Sequence, residues 1–140
     1  MAVLFLDLDR FKPVNDVHGH DTGDEVLKQV AVRLKAAVRD ADLVARQSGD
    51  EFIVLLTDIA PGVAGTNVEA SIVAVVRRIE SALEQPLGLR VGDVRMQASI
   101  GWSVFPYDGD DARTLLRQAD ESMYRRKRGQ PSLTSLEHRA

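Results

Sequence analysis

Cysteine is absent from the 140 residues, which removes disulfides, thiolate metal sites and cysteine nucleophiles together and is compatible with a reducing, cytoplasmic setting. Positive charge is not in excess. Eighteen Lys and Arg stand against 21 Asp and Glu, a formal net charge of -3, so no long-range positive field draws nucleic acid or an anionic membrane surface to the chain. Any phosphate binding must therefore be local. Long apolar runs are missing too: stretches such as Ala2 to Leu6 and Phe52 to Leu56 fall far short of the roughly 20 residues of a membrane span, and no basic start precedes a signal-type segment. Internal repeats and low-complexity linkers are also absent. What is present is 44% hydrophobic, enough for one compact domain over residues 1–129, with 130–140 read as a weakly ordered tail.

Ala2 to Leu6 is a continuous apolar run that breaks into the polar stretch Asp7-Leu-Asp-Arg-Phe-Lys-Pro13, as a strand buried on both faces does. Thr22-Gly-Asp-Glu25 has capping-box spacing, and Val26, Leu27, Val30, Ala31, Leu34 and Val38 recur at helical intervals, predicting a helix from about Gly23 to Arg39. Leu43 to Gln47 and Asp50 to Leu56 read as a hairpin turning at Ser48-Gly49, where glycine can take positive φ. Thr66-Asn-Val-Glu69 opens a second helix that Pro86 stops. Leu89 to Val91 reads as a strand, followed after a Gly92-Asp93 turn by a half-buried strand alternating from Val94 to Val104. A last helix spans Ala112 to Tyr124 and ends in the basic run Arg125 to Arg128. The order is that of an α+β fold, an antiparallel-containing sheet flanked by helices.

Two acid-bearing turns stand out: Asp7 and Asp9 at the end of the first strand, and Asp50 and Glu51 after the hairpin turn. If those strands are neighbours, the acids meet as an oxygen-only cluster, which suits Mg²⁺ and is poor for softer metals; phosphate would complete the ion's shell. An EF-hand is excluded because Phe11 occupies the next ligand position and neither the mid-loop glycine nor the terminal glutamate is present. His18 and His20 lack a third clustered ligand and read as loop packing and hydrogen bonding. Trp102, Met96 and Met123 fall on apolar stripes and read as core.

Taken together, Asp7-Leu-Asp-Arg-Phe-Lys-Pro-Val-Asn15, Gly19-His-Asp-Thr-Gly-Asp24, Arg46-Gln-Ser-Gly-Asp-Glu-Phe52, Ala98-Ser-Ile-Gly101 and Ala119-Asp-Glu-Ser-Met-Tyr124 resemble the GGDEF diguanylate cyclases in order and spacing, over roughly residues 3 to 129. The resemblance implies a palm-like fold similar to class III nucleotidyl cyclases. It implies condensation of two GTP into cyclic di-GMP and two pyrophosphates by a pair of such domains, with Mg²⁺ or Mn²⁺ as cofactor. It places Asp7 and Asp50 on the metal with a backbone carbonyl near Leu8, and Glu51 in catalysis as second ligand or proton acceptor. Asn15 and Asp24 match the guanine-reading pair, and a carboxylate there can accept from the N1 and N2 donors that adenine lacks. Asp24 also has a rival reading as a charge favoured by a helix N-terminus. Lys12, the turn amides around Arg10 and Phe11, and Lys127 match phosphate contacts. Arg39-Asp-Ala-Asp42 matches an RxxD product-inhibition site, although such a pair taken alone is an ordinary surface ion pair.

Three features depart from the family pattern. Ser48 replaces the first signature glycine, and Gln130 stands where a phosphate-binding arginine is usual. The helix and Asp-x-Leu-Thr turn that normally precede the first strand are not found, which suggests a fragment of a longer signalling protein with flanking sensory or EAL-type domains, or an eroded domain. Two further functions stay open: a non-catalytic sensor of GTP or cyclic di-GMP, and a bare interaction module.

Overall fold

The computed structural model describes residues 1–59 and 67–128. Along them run β1 (Ala2–Asp9), α1 (Phe11–His18), α2 (His20–Ala37), β2 (Leu43–Ser48), β3 (Glu51–Leu56), α3 (Val68–Glu84), β4 (Leu87–Leu89), β5 (Gly92–Val94), β6 (Gln97–Val104) and α4 (Ala112–Lys127). The main sheet has the order β2-β3-β1-β6, and every neighbouring pair is antiparallel. The expected α+β fold is what forms.

Strand alternation assigns each side chain of β1 to a face. Ala2, Leu4, Leu6 and Leu8 join the larger core under α2 and α3, with Phe52, Val54, Leu56, Ile100 and Trp102. Val3 and Phe5 point the other way, onto Leu115, Ala119 and Met123 of α4. By the same parity Asp7 and Asp9 lie on the α4 side, so the strand that anchors the core also carries acids to the helix opposite. Trp102, Met96 and Met123 are core residues, as their spacing predicts.

Four expectations need correction. The stretch after Asp9 is helical: Arg10 takes a left-handed conformation (φ 58°) and Phe11–His18 forms α1. Pro13 concealed this helix, yet in the first turn a missing N–H removes no intrahelical bond. Second, α2 begins at His20 with Gly19 (φ 90°) as N-cap, so Thr22 is a buried helical residue and no capping box forms. Third, β4 pairs with β5 as a separate hairpin turning at Arg90 and Val91, and the run from Val94 to Val104 is interrupted before β6. Fourth, β6 is not half-buried, because α4 covers its second face and buries Gly101 and Ser103. The third helix is capped by Asn67, whose side chain accepts from the Ala70 amide at 3.1 Å. Thr66, expected to cap it, lies outside the described residues, as do Gln130 and the predicted tail.

Candidate active site

Cross-strand register builds the site. Asp7 sits directly opposite Glu51 of β3 and Ser99 of β6. The β2–β3 turn brings Asp50 alongside: Gly49 adopts φ 45°, the strand pairing slips between Arg46 and Ser48, and the Asp50 carbonyl accepts from the Leu8 amide at 3.2 Å. Asp50 thus faces Asp7. Partial burial, and then the negative charge of Asp7, push the Asp50 carboxyl above the usual carboxylate range.

The far helix closes the cluster from above. Gly101 has no side chain, and a Cβ there would stand 1.9 Å from the Met123 backbone nitrogen, so α4 rests against the sheet at a distance only glycine allows. One turn beyond Met123, Lys127 places its Nζ 2.5 Å from Asp7 Oδ2. One turn before it, Asp120 has its carboxyl pushed up by burial, then by Glu51, Glu121 and Asp7. Ser48 Oγ donates to Glu51 Oε1 at 2.7 Å, and Ser99 Oγ donates to Asp9 Oδ1 at 2.7 Å.

The donor set suits a hard divalent cation. Asp7 and Asp50 supply adjacent anionic oxygens, and their mutual repulsion is what such a cation relieves. Among the described residues, no group of three or more His, Cys, Asp or Glu side chains gathers into a metal-holding arrangement. Two carboxylates, backbone oxygen and ligand phosphate would have to share an ion's coordination.

Asn15 lies on α1 and Asp24 on α2, two helices that pack together. The Asn15 side chain presses on Gly23, where a Cβ would stand 2.2 Å from Asn15 Oδ1, and its Nδ2 lies 3.1 Å from His20 Nδ1. Asp24 is the fifth residue of α2 rather than part of its first turn, which weakens the helix-terminus reading of its charge, since that effect fades within a turn. Phe11 and Lys12 occupy the first two positions of α1, whose N-cap has no side-chain hydrogen bond. The opening amides of α1 are therefore not taken by a side-chain cap.

Arg39 and Asp42 lie apart from this cluster. They line a cavity of about 230 Å³ with Leu56, Asp58 and Arg78, at the opposite end of β3 from Asp50. Arg39 makes a 3.5 Å ion pair with Asp58, both side chains largely exposed. Asp42 is only 4% exposed, and its oxygens accept from the Arg39 and Thr57 amides at 3.0 Å each. Asp42→Ala should therefore lower folding stability by roughly 2 kcal/mol through two orphaned amides, measured by urea unfolding. Arg39→Ala, at an exposed pair, should be nearly silent in the same assay.

Sequence reasoning missed α1, Asp120, Arg78 and the Ser48 and Ser99 contacts. Asp120 was legible, since it precedes Lys127 by two helical turns and so shares its face. Arg78 had no signal, because its place in one cavity with Arg39 depends on how α3 packs against α2 and β6.

The family profile described as "Diguanylate cyclase, GGDEF domain" matches residues 1–132. MucR of Pseudomonas aeruginosa, a bifunctional diguanylate cyclase/cyclic di-GMP phosphodiesterase, is 44% identical over 126 residues, which are 90% of this chain and 17% of MucR. The chain thus spans less than a fifth of that relative. The solved GGDEF domain of TpbB from the same organism matches with a TM-score of 0.82 and 40% identity, covering 91% of this chain and 76% of that one. The GGDEF domain of DgcB from Caulobacter crescentus, solved in complex with c-di-GMP, matches at 0.76 and 26% identity, over 91% and 72% of the two chains. With a family profile along nearly its full length and the signature acids paired across β1 and β3, this chain belongs to the GGDEF diguanylate cyclase domain family.

Proposed function

We propose that this domain condenses GTP into cyclic di-GMP as one half of a two-domain active site. The observation that carries the reading is Asp7, at the end of β1, facing Asp50 of the β2–β3 turn, with Lys127 bonded to Asp7. Asp7, Asp50 and the backbone carbonyl near Leu8 would hold Mg²⁺ or Mn²⁺. Bound there, the ion supplies polarisation of the α-phosphate and a lowered pKa for the attacking ribose 3'-hydroxyl. The amides opening α1 and the Lys12 and Lys127 ammonium groups hold the terminal phosphates. Asn15 and Asp24 select guanine through its N1 and N2 donors. Glu51, directly opposite Asp7, takes the proton of the 3'-hydroxyl as the new P–O bond forms and pyrophosphate leaves.

Each domain contributes one GTP, so the partner is a second GGDEF domain, and sensory or EAL-type domains of a longer chain would set when the two meet. Among the described residues no helix is long and apolar enough to cross a membrane. Incubation with GTP and Mg²⁺, followed by chromatography for cyclic di-GMP and pyrophosphate, tests the reading. A folded, dimeric preparation that yields neither product overturns it.

Arg39 and Arg78 are proposed to grip the product at the second cavity, where planar guanidinium groups suit phosphates and guanine edges. The cavity stands apart from the acids, so it also supports a second reading in which the domain senses cyclic di-GMP without turnover. Calorimetry with cyclic di-GMP on the parent and on Arg39→Ala separates binding from catalysis.

Gly23→Ala separates substrate reading from folding. Alanine favours a helix interior by about 1 kcal/mol, while its Cβ meets the movable end of Asn15 rather than backbone. GTP affinity should fall about tenfold with stability unchanged or improved, measured by calorimetry and thermal melting.

A further inference from the structure

We propose that Lys127 is a resident counter-ion of the metal carboxylates, displaced from Asp7 when the divalent ion binds and thereby released to take the substrate's terminal phosphates. The inference rests on the metal and nucleotide reading above. It adds an exchange step: one cation leaves before the other is held, and the departing one becomes a ligand for the nucleotide.

The geometry requires this competition. Lys127 Nζ lies 2.5 Å from Asp7 Oδ2, in a pair where the Asp7 side chain is only 15% exposed and that of Lys127 is 42% exposed. An ammonium at that distance occupies space that a metal ligated by the same oxygen needs, and two cations so close repel. The pair is asymmetric in mobility. Asp7 is held in the ladder between β3 and β6, whereas Lys127 is the last residue of α4 and carries a flexible four-carbon stem. The lysine is the partner that moves. Its pivot is fixed, because the backbone of Met123 one turn earlier is seated on Gly101.

Charge gives the exchange its direction. Asp7 and Asp50 face one another with Lys127 as the ammonium in contact with Asp7, while Asp9 accepts from Ser99. A divalent ion neutralises the two carboxylates by itself and takes from the ammonium its contacting partner, whose place the phosphates fill. Protonation does not drive the step. The hydrogen bond to Asp7, followed by the charges of Asp7, Asp9 and Asp50, holds the ammonium above the usual lysine range, so the group stays charged throughout the neutral range.

The test measures binding of Mn²⁺ alone and binding of GTP with Mn²⁺, by electron paramagnetic resonance and calorimetry, in the full chain. Lys127→Met and Lys127→Gln should bind bare Mn²⁺ roughly fivefold more tightly than the parent, since no ammonium competes for Asp7. The same variants should bind GTP with Mn²⁺ more weakly. That opposition of sign is not the result of general damage, and melting curves matching the parent exclude misfolding. Equal or weaker binding of bare Mn²⁺ in both variants overturns the exchange. Asp7→Asn distinguishes the levels: if it loses Mn²⁺ while the lysine variants are unchanged, only the exchange fails, and if it keeps Mn²⁺ at full affinity, the metal reading fails with it.

Discussion

Asp50→Asn should abolish formation of cyclic di-GMP and, in the metal-free protein, raise the melting temperature. The first effect follows from losing one of two anionic ligands. Charge stabilisation by the ion is worth several kcal/mol, so a rate loss of about a thousandfold or more is expected by chromatographic assay. The second follows from the sign of the ionisation. Burial and then Asp7 raise the Asp50 pKa in the folded protein, so folding favours its protonated form. That contribution to stability is fully present below the unfolded carboxylate pKa and is lost as pH rises through the raised folded value. At neutral pH the ionised group therefore works against folding, and asparagine removes the repulsion while leaving the Lys127–Asp7 pair in place.

Other groups titrate with the opposite sign. Asp111, whose pKa is lowered by its hydrogen bonds to the Thr114 amide and side chain at the start of α4, stabilises above its unfolded value and loses that contribution as pH falls. The informative quantity is thus the difference in melting temperature between the parent and Asp50→Asn. It should grow as pH rises from the acidic range through the raised value and then level off. A variant no more stable than the parent at neutral pH, or one that retains turnover, contradicts the placement of Asp50. Metal affinity of the parent should likewise weaken as pH falls into the range where Asp50 protonates.

Gly101→Ala should cost about 3 kcal/mol or more and loosen the site together with the fold. The added Cβ would stand 1.9 Å from the Met123 nitrogen, 2.5 Å from its Cα and 2.5 Å from the Ser122 carbonyl carbon. These are backbone atoms of a helix, so no side chain can rotate away and α4 must lift. Two interelement hydrogen bonds lie under it, Ser122 Oγ with the Trp102 amide at 3.2 Å and Ser103 Oγ to the Leu115 carbonyl at 2.7 Å. Both are strained by the same displacement. Lys127 rides on α4, so GTP affinity should fall along with stability. Urea unfolding and nucleotide calorimetry on one preparation check the pairing, and a variant of parental stability would mean that α4 does not rest on Gly101. Gly23→Ala is the informative contrast, because there the obstacle is a side-chain amide and the expected loss is in binding alone.

Much of the candidate site was legible because its chemistry is local in the chain. The acids Asp7, Asp9, Asp50 and Glu51 end or begin strands, and apolar periodicity locates those strands without reference to neighbours. The hairpin was legible for the same reason, with Gly49 at positive φ. Where local signals competed, reading failed. Pro13 concealed α1 although a first-turn proline is harmless, and Thr22 imitated a cap although the chain enters α2 at Gly19. The alternation from Val94 to Val104 gave one face of β6 correctly and could not report a helix covering the other.

By itself the sequence determined the order of the main-sheet strands and of α2, α3 and α4, the family, and which residues carry charge at strand ends, since each of these depends on composition and spacing along one stretch of chain. The tertiary structure decided which charges meet. Asp7 opposes Glu51 because β1 and β3 pair in one register, and a slip of one residue would turn Asp7 to the other face of the sheet. Lys127 reaches Asp7 across 120 positions of sequence because Gly101 lets α4 approach. Asp42, which the family resemblance places in the RxxD product site, accepts from two backbone amides, one of them from Thr57 beyond the hairpin. Contacts of this kind depend on packing between segments distant in the chain, and neither residue of such a pair carries a local signal of the other.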